Sequence, residues 1–125
     1  MTFARRVFFW AGIYGLLAIL PGFFNEAWVA QHQPPAITHP EFFYGFYSVA
    51  LAFQVLFLLM SRDPIRYRPL MPACMLEKFG FFVAATILFA LGRTSILIMS
   101  FAVIDCILGS LFVAAYLKTP RRASV

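Results

Sequence analysis

Charge is what this chain has least of: only 12% of its residues are Asp, Glu, Lys or Arg, against about a quarter in soluble domains. With 62% hydrophobic residues, among them 16 Phe, 5 Tyr and 2 Trp, a water-soluble core would have too few polar residues to cover it. An ordinary soluble domain is excluded, and lipid must cover the remainder. Cysteine is scarce as well. Cys74 and Cys106 do not form the C-x-x-C pair of a disulfide-forming membrane enzyme, and two cysteines are too few for a disulfide-built secreted scaffold. One falls near a membrane surface and the other near the midplane, so free thiols are expected. No segment alternates as a barrel strand would. A Ser-His-Asp set, a metal box and a phosphate-binding glycine loop are all missing, so neither a cofactor nor a catalytic activity is indicated.

What is present is apolar length. Four stretches, about residues 6–24, 42–60, 73–91 and 95–117, each approach the roughly 20 residues that a spanning helix needs. They predict an all-α, four-transmembrane-helix bundle forming a single integral membrane domain over residues 1–125. Pro21 falls where the first helix should kink or end, and Pro72 suits the first turn of the third. Thr94 and Ser95 are candidate N-caps of the fourth, with Lys118 and Pro120 as its stop signals. Residues 25–41, polar and Pro-rich towards their end, are expected to be a loop, whereas Gly92 to Thr94 allow only a tight turn.

Orientation follows from the basic residues. Arg5, Arg6, Arg62, Arg66, Arg68, Lys78, Lys118, Arg121 and Arg122 are assigned to one side and Arg93 alone to the other. Both termini are therefore expected in the cytoplasm, with an integral, bacterial inner-membrane location. Arg5-Arg6 before an apolar stretch also resembles a secretory signal, but Trp28 two positions before Ala30 spoils the small-residue cleavage pattern, and retention is expected.

The informative residues are those that are costly in lipid. Asp105 falls at the middle of the fourth span, where a charge costs on the order of 3 kcal/mol. Counted at about 1.5 Å per residue, it lies about 18 Å deep, level with Tyr47, Ser48 and Thr86, while Tyr14 and Gln54 fall at about 12 and 10 Å. Asp105, Tyr47, Ser48, Thr86 and Gln54 are thus the candidate ligand or proton site. Asp105 is expected to face the interior and to be largely protonated, because burial disfavours the charged form and no Lys or Arg is assigned to its depth. On the same helix Ala102, Cys106, Ser110 and Ala114 recur at four-residue spacing beside Gly109, a small-residue strip expected to pack against a helix.

Arg62, Asp63, Arg66 and Arg68 form a short basic loop, to which Glu77 is expected to contribute an ion pair, as does Asp63, making a fixed cytoplasmic cap. Its place on the inner face suits anionic lipid headgroups and gives no reason to invoke nucleic acid. On the outer side Glu26, His32, His39 and Glu41 are weak metal candidates whose spacing matches no established zinc motif.

This layout, with cytoplasmic termini, a longer outer loop and a charged inner loop between the middle helices, resembles small four-helix inner-membrane proteins of the DoxX-like type. The resemblance covers the whole chain as topology and carries over no functional residue. Small multidrug-resistance transporters share the helix count, but their essential carboxylate lies within the first helix, where this chain has no acid before Glu26. The leading functional expectation is an accessory or interaction subunit that packs with itself or with a larger membrane partner. The alternative is a binder or carrier of a small lipophilic or cationic molecule, or of a proton, through Asp105, which a cavity beside that residue would favour.

Overall fold

A computed structural model describes residues 2–123. Helix α1 (Phe3–Ile19) gives way at Pro21 to a tighter 3₁₀ turn, Leu20–Phe24, and is followed by the short α2 (Glu26–His32). Then come α3 (Pro40–Arg62), α4 (Pro64–Tyr67) with a 3₁₀ turn at Arg68–Leu70, α5 (Met71–Ala90) and α6 (Ile96–Lys118). The protein is an all-helical bundle with four helices long and apolar enough to cross a membrane. Only 17–28% of the most apolar window of each span is buried within the chain, so most of each helix presents apolar side chains to lipid.

Local chemistry accounts for the helix ends. Thr2 caps α1 by accepting from the Arg5 N–H at 3.3 Å, and Ser95 does the same for α6 from Ile98. Pro40 and Pro72 occupy first turns, where a missing N–H costs nothing. Between α5 and α6 the chain reverses through Gly92, whose φ of 71° is a backbone state that favours glycine. The segment after α1 differs from expectation: residues 26–32 are helical, which confines the irregular loop to residues 33–39. Glu26 in the first turn complements the helix dipole of α2.

The helices pair unequally. α1 runs along α3 and α5 along α6, and α1 joins the two pairs by touching α6. Hydrophobicity alone does not attract helices within lipid, so close approach rests on small residues and packing. Ala4, Ala11, Gly12 and Gly15 supply a narrow buried face on α1, and the Phe79 ring of α5 lies over Gly109 of α6. In the half that carries both termini, Phe8, Phe57 and Phe112 are fully buried. Their rings meet at centroid distances of 4.5, 5.0 and 6.1 Å, and such pairs contribute about 0.5–1.5 kcal/mol each. Met60, Met71 and Cys74 complete this core, which closes the bundle at that end. Cys74 and Cys106 are free thiols.

Two expectations about packing are corrected. Ala102 and Gly109 are buried, but Cys106 and Ala114 are only half-buried and Ser110 is exposed, its hydroxyl donating to its own helix at Cys106 O. A four-residue spacing turns about 40° per step around a helix, so the strip leaves the contact face. The buried seam follows Ala102, Gly109, Phe112 and Ala115 instead.

The charged loop is also held differently. Asp63 accepts from the Arg66 backbone N–H at 3.3 Å and so caps α4, and Glu77 pairs with neither Arg66 nor Arg68. Among the described residues the loop has no side-chain ion pair, and Arg62 and Arg66 are exposed. The clasp is Arg68. Its Nε donates to Tyr116 O at 3.2 Å and Thr119 O at 2.8 Å, and its guanidinium lies 3.8 Å from the Tyr116 ring centroid. These bonds satisfy carbonyls that the end of α6 leaves without partners.

Candidate functional site

α3 and α5 are not packed along one another, and space is left between them in the half of the bundle opposite the aromatic core. A cavity of about 610 Å³ lies there, lined by α1, α3, α5 and α6. Along α3 its lining runs from Glu41 to Gln54, about 20 Å of helix. Phe42, Phe46 and Val49 line it and are exposed on the bundle surface, which puts its mouth on the lipid-facing side between α3 and α5. Phe46 and Phe81 reach across that gap, with ring centroids 6.0 Å apart.

The floor is polar. α5 supplies Glu77 and Lys78, and α6 supplies Asp105. Lys78 is only 3% exposed. Its Nζ donates to Asp105 Oδ1 at 3.3 Å, lies 3.5 Å from Glu77 Oε2 and is 5.4 Å from the Phe57 ring centroid. An ammonium buried this far into a span requires such compensation. Glu77 Oε2 makes no hydrogen bond among the described residues, and neither does Gln54 Oε1. Gln54 is buried on α3, with Nε2 donating to Ala50 O at 2.8 Å and its amide occupying the space that a side chain on Gly15 would take.

Asp105 therefore does face the interior, but its neighbours are not those expected from depth. Lys78 supplies the cation that the sequence placed elsewhere, which removes one of the two premises on which a protonated Asp105 was expected and leaves its burial. Tyr47 and Gln54 line the same cavity, as does Tyr14. Ser48 is exposed and donates to Tyr44 O, and Thr86 donates towards Met99 Sδ at 3.9 Å; neither lines the cavity. Tyr47 packs its ring into the space left by Gly22.

Lys78 is the residue that sequence reasoning missed. It follows three arginines and so looks like part of the basic loop, but Arg68 already marks the end of α6, and ten further residues carry Lys78 about 16 Å inward. The signal was its place within the third apolar stretch, one residue after Glu77.

At the far end, Tyr44 donates to Glu26 at 2.8 Å, His32 stacks on Trp28, and His39 lies 3.4 Å from Glu41. The four candidate ligands are thus divided, and the described residues contain no group of three His, Cys, Asp or Glu able to hold a metal. Ser95 donates to Gln33 at 2.7 Å and ties the loop to α6.

The cavity thus combines aromatic walls with a floor of two carboxylates, one ammonium and a buried amide, a surface suited to an apolar molecule bearing positive charge. Compared with protein-family models, curated proteins and solved structures, the chain matches none.

Proposed function

We propose that this integral membrane protein binds a small lipophilic cation in the cavity between α3 and α5. The observation that carries this reading is the juxtaposition of a 610 Å³ aromatic-walled cavity with the Lys78–Glu77–Asp105 cluster. One ammonium faces two carboxylates, so the floor favours a positive occupant. Glu77 joins Asp105 as a recognition residue, Lys78 holds both in place, and Phe46, Phe81 and Phe101 offer ring faces to the apolar body. Self-association through the α6 strip has less to support it, because that strip is divided between the interior and the surface.

With Lys78 taken out of the surface count, eight basic residues lie towards the termini and Arg93 lies towards the opposite end. This bias supports cytoplasmic termini in a bacterial inner membrane, a setting that the DoxX-like layout also suggests, with the basic face against anionic headgroups. The mouth then opens into the outer leaflet.

Gly45 provides the test. It lines the cavity, and a Cβ built there meets nothing within 4 Å, so Gly45→Leu should fill space without disturbing the fold. Tetraphenylphosphonium should bind the wild-type protein in lipid nanodiscs by calorimetry, and Gly45→Leu should weaken it by about tenfold or more, with unfolding temperature retained. Equal binding of wild type and Gly45→Leu, or equal affinity for neutral triphenylphosphine oxide, refutes the proposal.

A further inference from the structure

The charges on the cavity floor do not balance. Lys78 and Glu77 come from α5 and Asp105 from α6; α1 adds Tyr14, and α3 adds the neutral amide of Gln54. The remaining titratable groups are Tyr47, which lines the cavity from α3, and two thiols, Cys74 one turn before Glu77 on α5 and Cys106 beside Asp105 on α6. Glu41 also lines the cavity, but at its outer end, where it is exposed and lies 3.4 Å from His39. Fully ionised, the floor carries two negative charges and one positive, within a span whose surroundings penalise uncompensated charge.

Lys78 does not meet the two acids alike. Its hydrogen bond goes to Asp105 Oδ1, while Glu77 Oε2 stands at 3.5 Å without one, although the Glu77 side chain is only 20% exposed. Glu77 is the less fully compensated of the two acids, and two occupants can neutralise the surplus: a proton on its carboxylate or a monovalent cation in the cavity. Both together would leave a surplus positive charge, so each disfavours the other.

We propose that the cavity exchanges one proton for one lipophilic cation: the empty site holds a proton on the Glu77 carboxyl, and cation binding releases it to water. The inference rests on the cation-binding reading above. In the step the carboxyl O–H bond breaks, its electron pair stays on the Glu77 oxygen, the proton leaves to solvent, and nothing is oxidised or reduced. The Lys78–Asp105 pair persists throughout as a neutral anchor.

The experiment is calorimetric titration of the full chain in nanodiscs with tetraphenylphosphonium, in phosphate and in Tris, between pH 6 and pH 8. The two buffers take up protons with different enthalpies, so the difference in observed heat counts the protons released. The expected result is about one proton per cation bound, with Kd falling by up to about tenfold for each unit rise in pH. Glu77→Gln leaves a neutral floor, and in that variant the release should vanish and the weakened binding should no longer depend on pH. Binding to the wild type with no proton release and a constant Kd overturns the exchange while leaving cation binding intact. Full release in Glu77→Gln overturns the assignment to Glu77. Failure of the wild type to bind at any pH overturns the cation site itself. The wild-type proton count decides for or against exchange even where Glu77→Gln does not fold.

Discussion

Replacing Gly15 with Ala should destabilise the bundle, although alanine is the better helix former. On α1, Gly15 is buried, and its missing side chain is the space into which the Gln54 amide is folded. A Cβ there would overlap the amide and come within 2.7 Å of Gln54 Cγ. Because α1 and α3 pack along their length, the relief open to the protein is to rotate Gln54 towards the cavity, which breaks its 2.8 Å bond to Ala50 O. Overpacking costs about 1–3 kcal/mol, and the lost hydrogen bond about 1 kcal/mol. The gain in helix propensity returns about 1 kcal/mol, leaving a net loss of about 1–3 kcal/mol. The assay is equilibrium unfolding in detergent of wild type, Gly15→Ala, Gln54→Ala and the double variant, read as a double-mutant cycle. Removing the amide should rescue much of the Gly15→Ala cost. A Gly15→Ala protein as stable as wild type, or costs that simply add, would refute this account of the α1–α3 contact.

The seam on α6 makes a paired prediction: Gly109→Ala brings a Cβ to 2.9 Å from the Phe79 ring and should cost about 1–2 kcal/mol in the same assay, whereas Ser110→Ile, on the exposed face, should change monomer stability by less than about 0.5 kcal/mol. A large loss from Ser110→Ile would mean that this face is covered. For orientation, a single reporter cysteine at Gln33, with Cys74 and Cys106 replaced, should react with an impermeant thiol reagent added from outside the cell; reaction only from the cytoplasmic side would invert the topology.

The elements were readable because their signals are local. Pro72, Ser95 and Lys118 mark helix ends through backbone geometry and capping that involve only near neighbours, and the structure places helix ends beside each of them. The site was only half readable, because its defining contacts are non-local. Asp105 announced itself by the cost of a charge in lipid. Lys78 did not, since Pro64, Pro69 and Pro72 suggest a loop where the chain already turns inward through α4 and the following 3₁₀ turn. The cavity arises because α3 and α5 each find their partner elsewhere, and no property of either helix alone records that choice. The strip containing Ser110 failed for a simpler reason: a four-residue repeat is not the helical period, and over three steps it drifts about a third of a turn.

The closed aromatic core has an electrical consequence. Phe8, Phe57 and Phe112 fill the half of the bundle that carries both termini, and among the described residues the cavity lining leads from the floor to the mouth between α3 and α5. A lone monovalent ion reaching that depth would cross about half of the hydrocarbon, and a 100 mV membrane potential would bias its occupancy by about 1 kcal/mol. A proton departing by the same route carries the same charge over the same distance in the opposite direction. Under the proposed exchange the two displacements would cancel, and loading the cavity would be electrically silent: occupancy would follow the proton and cation concentrations at the mouth and be indifferent to membrane voltage.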